Sequence, residues 1–168
     1  MRVLGKPAGI TVLLLDGLKG WAAVALLARW VLVAMLPGDI SAAAREAGLV
    51  TGGVAAVLGH NYTCWLKFKG GKGIATTAGV YVVLAPWALL IAFGVFLLGV
   101  VTTRYVSVGS IAAAVALPVA AGFTQPSVAV DGVTAALGAL AVYKHRGNIA
   151  RLRAGTENRL GQKKQEGA

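Results

Sequence analysis

The sequence predicts an all-α, polytopic helical membrane protein with about six membrane segments, on three observations. Of its 168 residues 57% are apolar and 13% charged, against about 25% charged in an ordinary soluble domain. Mean hydropathy is +0.74, and two stretches, Gly73 to Thr103 and Tyr105 to Val130, contain no charge at all; each exceeds the roughly 20 apolar residues that cross a bilayer. The basic residues, finally, stand between and after the apolar runs rather than along them.

Each segment follows in order. Apolar sequence from about Ala8 to Leu36 ends at the turn-like Pro37-Gly38-Asp39, and a second run covers Ala47 to Leu66. A basic glycine-rich loop, Lys67 to Gly73, comes next. The charge-free stretch after it would be about 45 Å long as one helix at about 1.5 Å per residue, against a hydrocarbon core of about 30 Å, so it reads as two short or re-entrant helices. Pro86 is where they divide. Two further runs span Tyr105 to Gly122 and Ser127 to Tyr143, and a polar tail starts at Lys144. One membrane domain, 1–158, and a polar, unstructured tail, 159–168, are expected.

With that in-and-out pair, 13 of the 16 lysines and arginines, all but Lys19, Arg29 and Arg45, fall on one side. Lysine and arginine bias in short loops marks the cytoplasmic side, so both termini are expected there. The net charge of +10 would suggest nucleic acid in a soluble chain; in these topogenic positions it excludes it. A single cysteine, Cys64, rules out a disulfide framework, and with two histidines a metal centre is not expected. No cleavable leader pattern opens the chain.

Chemistry concentrates in a few places. Lys69-Gly70-Gly71-Lys72-Gly73 precedes a helical run. Glycines let successive N–H groups face an anion, lysines add point charges, and a helix start near Ile74 adds its positive end. The same residues also suit a plain cytoplasmic loop with glycine turns. The nucleotide-binding pattern Gly-x-x-x-x-Gly-Lys-Ser/Thr is absent. Asp16 and Lys19, three apart, share a helix face and form either an ion pair or the lining of a polar site. His60 is a phosphate donor or a helix-to-helix hydrogen bonder. Arg104, with Ser107 nearby, binds an anion or fixes topology. In Lys144-His145-Arg146-Gly147-Asn148-Ile149-Ala150-Arg151, His145, Asn148 and Arg151 fall on one helical face; that face grips a phosphate or meets anionic lipid heads.

Taken together, Leu15-Asp16-Gly17-Leu18-Lys19-Gly20, Gly59-His60-Asn61-Tyr62, Phe68-Lys69-Gly70-Gly71-Lys72-Gly73, Thr103-Arg104-Tyr105-Val106-Ser107 and His145-Arg146-Gly147-Asn148 through Gly155-Thr156-Glu157 resemble the bacterial acyl-phosphate:glycerol-3-phosphate acyltransferases. The resemblance implies acyl transfer from acyl phosphate to the sn-1 hydroxyl of glycerol 3-phosphate, giving lysophosphatidic acid and phosphate for phospholipid synthesis. It further implies an active site on the cytoplasmic face of the bacterial inner membrane, no metal or organic cofactor, and a monomer or weak oligomer. By that resemblance His145, Asn148 and Lys72 are catalytic. Arg2, Lys69, Gly70, Gly71, Gly73, Ser107 and His60 bind substrate or phosphate, while Asp16, Lys19, Arg104 and Glu157 support the site.

Two departures are visible. Tyr62 and Thr63 replace the Phe-Pro of the family's Gly-His-x-Phe-Pro. The family's first helix and the motif after it are missing, leaving six segments for seven and Arg2 alone from that motif. A start assigned too late, a fragment and an impaired variant are the three explanations. The competing class is a non-enzymatic lipid- or anion-binding membrane protein, whose charges would mark a path across the bilayer instead of gathering at one interface.

Overall fold

The computed structural model describes residues 5–35, 38, 40–124 and 127–162. The first rod is one long helix made of α1 (Gly5–Ala22), a π-helical stretch (Ala23–Ala28) and α2 (Arg29–Met35). It is followed by α3 (Ala42–Asn61), a 3₁₀ turn (Cys64–Leu66), α4 (Ile74–Leu84), α5 (Pro86–Thr103), α6 (Val106–Thr124), α7 (Val128–Lys144) and a short α8 (Arg146–Arg153). No strand occurs among the described residues. Among the described residues the helices follow in the expected order, and α4 and α5 divide at Pro86. Pro7–Met35, Pro86–Thr103 and Val106–Thr124 are long and apolar enough to cross a membrane.

Local chemistry sets the helix ends. Ser41 caps α3 by accepting from Ala44 N at 3.2 Å, and Ser127 caps α7 by accepting from Val130 N at 3.3 Å. Ser127 Oγ also donates to Glu46 Oε1 at 2.5 Å, tying the starts of α3 and α7 together. Pro86 opens α5, where its missing N–H costs nothing. Arg104 ends that helix in the left-handed region at φ 62°.

Packing between rods depends on residues without side chains, as expected where lipid supplies no hydrophobic drive between helices. A Cβ on Gly79 would lie 1.9 Å from Gly17 O, and one on Gly20 would lie 2.1 Å from Thr76 O. The backbones of α1 and α4 therefore touch. Ala28, in the π-helical stretch, meets α3 at Gly52, where an added Cβ would lie 2.8 Å from Ala28 Cβ. In the bundle centre the buried Tyr81 and Thr134 hydroxyls share a 2.5 Å hydrogen bond, and Thr134 donates onward to Val130 O. This polar link joins α4 to α7 through two fully buried side chains.

These contacts give the rods alternating directions. One end of the bundle holds the starts of α4 and α6, the finishes of α3, α5 and α7, and the Asp16–Gly20 stretch of α1, which meets Ala75, Thr76 and His60 there. The described members of Asp16, Lys19, His60, Lys69 to Gly73, Arg104, Ser107 and His145 to Glu157 all belong to this basic end. The tail differs from its expected form. Leu160 N donates to Arg104 O at 2.8 Å and Arg159 lies over the Tyr105 ring at 5.2 Å, so the chain folds back across the bundle end instead of leaving it at residue 159.

Gly79→Ala or Gly20→Ala forces a methyl group into a backbone carbonyl and is expected to cost about 1–3 kcal/mol. Gly94→Ala, with nothing within 4 Å of its Cβ, serves as the neutral control. Thermal unfolding in detergent measures the difference.

Candidate active site

The site begins at the end of α3. The last carbonyls of a helix have no partner within it, and here they are capped from outside. Tyr62 N donates to Leu58 O at 2.8 Å, Gly71 N to His60 O at 3.2 Å and Gly70 N to Asn61 O at 3.2 Å. Lys144 Nζ, at the end of α7, also donates to Asn61 O at 2.8 Å and lies 4.5 Å from the Tyr62 ring centre.

This corrects the expected role of Gly70 and Gly71. Their amides face the α3 carbonyls rather than an anion. Their lack of side chains serves close approach: a Cβ on Gly70 would lie 2.0 Å from His60 O, and one on Gly71 would lie 2.0 Å from His60 Nε2. The Nε2 edge of the His60 ring faces Gly71, and its Nδ1 faces α1, accepting from Lys19 Nζ at 2.7 Å while Lys19 also donates to Asp16 Oδ1 at 2.5 Å. Asp16, Lys19 and His60 thus link α1 to the end of α3, with Asp16 and Lys19 ion-paired.

With Gly70 and Gly71 committed, the chain reverses at Gly73. Its φ of 78° is left-handed, and a Cβ there would lie 2.8 Å from Asn61 Oδ1, so glycine is required twice over. Helix α4 then starts at Ile74 with no side-chain cap. Its first intrahelical bond is Thr77 N to Gly73 O at 2.7 Å, so the first-turn amides carry the helix's positive end outward.

Opposite stand α8 and the returning tail. Lys72 Nζ donates to Asn148 Oδ1. Asn148 Nδ2 donates to Glu157 Oε1 at 2.7 Å, and Arg151 Nε donates to Glu157 Oε2 at 2.7 Å. Asn148 and Glu157 are buried, as is Ser107 at the start of α6. Burial pushes the Glu157 carboxyl up, but hydrogen bonds from Asn148 and Arg151, the nearby Ser107 hydroxyl and the Arg151 charge outweigh it and hold it below the usual 4.5. Ser107 Oγ itself makes no hydrogen bond of regular geometry.

His145 occupies the joint between α7 and α8. A carbonyl can only accept, so the 2.7 Å contact with Ala141 O puts a proton on Nδ1 and leaves the Nε2 lone pair. Burial lowers its pKa from the usual 6.5, opposed by the Ala141 bond and the Glu157 charge and helped by the Lys72 charge.

The sequence-predicted residues therefore separate into groups. Lys72, Gly73, Ser107, His145, Asn148 and Glu157 meet at one place. Gly70, Gly71, His60, Asp16 and Lys19 form the scaffold behind it. Lys69 is exposed beside the loop. Arg104 acts through its carbonyl, which holds Leu160, and Arg2 lies outside the described residues. Lys144 and Asn61 were missed, as was the pairing of Arg151 with Glu157, because these contacts join positions with no local sequence pattern between them.

Beside this polar centre runs an apolar groove of about 700 Å³ bounded by α1, α4, α5, α6 and α7. Ile74 and Ala141 line it, and both also border the polar centre: Ile74 follows Gly73, and Ala141 holds the His145 ring.

A helical bundle whose described residues include three helices long and apolar enough to cross a membrane, with an apolar groove beside a basic polar centre, defines an integral membrane protein. The family model described as glycerol-3-phosphate acyltransferase matches residues 1–155, and the chain belongs to that family. It is 44% identical over 159 residues to the glycerol-3-phosphate acyltransferase of Syntrophotalea carbinolica, covering 95% of this chain and 76% of the relative. It is 42% identical to that of Geobacter sulfurreducens over the same shares. Among solved structures it resembles the glycerol 3-phosphate form of PlsY, an integral membrane glycerol 3-phosphate acyltransferase, with a TM-score of 0.79, 38% identity and coverage of 95% of this chain and 74% of that one. The chain thus spans about three quarters of these relatives.

Glu157→Gln keeps the shape and removes the charge; losing charge-assisted bonds is expected to cost about 1.5–3 kcal/mol. A carboxylate held below its ordinary pKa stabilises the fold above that value and loses this contribution as pH falls. Unfolding measured from pH 7 down through 4.5 should therefore fall more steeply for the parent than for the glutamine variant.

Proposed function

We propose that this protein transfers a fatty acyl group from acyl phosphate to the sn-1 hydroxyl of glycerol 3-phosphate, giving lysophosphatidic acid and inorganic phosphate. We place the site at the cytoplasmic face of the bacterial inner membrane, because lysine and arginine bias in short loops marks that side and the described Lys19, Lys72, Lys144 and Arg151 meet at one end. The observation that carries this reading is the junction of groove and polar centre at Ile74 and Ala141. A single donor molecule with an alkyl chain and a phosphate fits that junction as a whole, chain in the groove and phosphate at the start of α4.

In the reaction the hydroxyl oxygen attacks the acyl carbonyl carbon, the bond from that carbon to the phosphate oxygen breaks, and the hydroxyl proton leaves with the phosphate. The protein's part is electrostatic. Lys72, Lys69 and the first amides of α4 offset phosphate charge, with Gly73 supplying the turn. Ser107 and Arg2 meet the leaving phosphate. Asn148, oriented by Glu157, and His145, presenting Nε2 as an acceptor, orient the glycerol phosphate. The separate arrangement of Asp16, Lys19 and His60 keeps the loop seated.

Lys72→Ala removes a charged contact worth about 1.4 kcal/mol or more, so phosphate release from acyl phosphate in the presence of glycerol 3-phosphate should fall at least about tenfold. Unchanged release removes Lys72 from the mechanism. Because burial lowers the His145 pKa, the acidic limb of the kcat/KM profile assigned to it, by its loss in His145→Gln, should lie below pH 6.5; a limb above that value contradicts the assignment.

A further inference from the structure

The short stretch between α3 and the glycine loop has no part in the reaction just described. It exposes Trp65 by 90%, Leu66 by 60% and Phe68 by 66%. The outward apolar residues of α1, α5 and α6 are helical side chains of segments fit to cross lipid; these three stand instead on a turn, at the basic end of the bundle. Lys67 and Phe68 both adopt left-handed backbone conformations, φ 50° and 61°, which non-glycine residues rarely do. The reversal leaves all three large side chains outside the bundle.

The backbone of this turn is already paired. Leu66 N donates to Thr63 O at 3.2 Å, Lys67 N to Cys64 O at 3.1 Å, Phe68 N to Thr63 O at 3.0 Å and Lys69 N to Leu66 O at 2.9 Å. A loop that enters apolar surroundings normally carries unpaired N–H groups, and their cost keeps it out. This one carries none from Leu66 to Gly71, since Gly70 and Gly71 donate to α3.

We propose that Trp65, Leu66 and Phe68 form an interfacial anchor that enters the boundary between headgroups and acyl chains of an anionic bilayer, with Lys67 on the lipid phosphates. Tryptophan favours that boundary because it has an apolar body and a polar N–H. Lys67 stands between two of the apolar residues, and a chain of net charge +10 complements anionic lipid. The turn is also covalently continuous with α3 on one side and, through the glycine loop, with α4 on the other. An anchor here fixes the depth at which the Lys69–Gly73 loop stands. It does not depend on which acyl donor the enzyme uses.

Cys64 is exposed and is the chain's single cysteine, so the natural sequence takes one nitroxide label beside the anchor. The full chain, reconstituted in phosphatidylglycerol nanodiscs, is probed by power saturation with oxygen, which concentrates in the bilayer, and a nickel chelate, which stays in water. Oxygen accessibility should exceed that of nickel, and the Trp65→Ser/Phe68→Ser variant should reverse the order. Lys67→Gln should shrink the difference in depth between phosphatidylglycerol and phosphatidylcholine discs. Nickel dominating in the unsubstituted chain, as for a loop open to a soluble partner protein, overturns the anchor without any variant. A depth unmoved by the double substitution overturns it as well.

Discussion

The last turn of α3 ends with carbonyl oxygens that nothing in its own helix can satisfy, and the Gly70 and Gly71 amides satisfy two of them at 3.2 Å. Most of the site depends on this capping. It seats the loop so closely on His60 and Asn61 that a methyl group on either glycine would collide with them. The next residues then have one route left, the left-handed reversal at Gly73 into an uncapped α4. The lysine side chains and the α4 amides thereby come to the same end of the bundle. Lys144 Nζ, donating to the same Asn61 carbonyl, fixes α7 against α3 and so sets where His145 and α8 stand.

A second set of interactions gives this end its charge balance. Lys72, Asn148, Glu157 and Arg151 alternate donor and acceptor across three separate segments. Glu157 arrives only because the chain turns back after α8 and pins Leu160 to the Arg104 carbonyl. Burying a carboxylate is costly unless it is paired and hydrogen-bonded, and here both oxygens are. The apolar groove meets this cluster from the membrane side.

Much of this was legible from the sequence. Charge-free lengths and Pro86 located the rods, because apolar run length is fixed by bilayer thickness and a proline is favoured at the first position of a helix, as Pro86 is in α5. The Asp16–Lys19 pair was legible from its spacing. The roles of Gly70 and Gly71 were not. Glycine between lysines satisfies both an anion cradle and a close approach to a helix end, and choosing between them takes knowledge of what lies opposite, here His60 and Asn61. The π-helical stretch at Ala23–Ala28 has no proline or glycine to signal it. The folded-back tail was equally hidden, since the Leu160–Arg104 contact involves two backbones and leaves no side-chain signature.

The central claim is that the anion is received by the start of α4 while Gly70 and Gly71 stay bonded to α3. Backbone amide chemical shifts, followed during titration with inorganic phosphate, the group the acyl donor carries to the start of α4, separate the two possibilities directly. The account predicts large shifts at Ile74, Ala75 and Thr76 with Gly70 and Gly71 nearly unmoved. Largest shifts at Gly70 and Gly71, with the α4 amides unmoved, would contradict it.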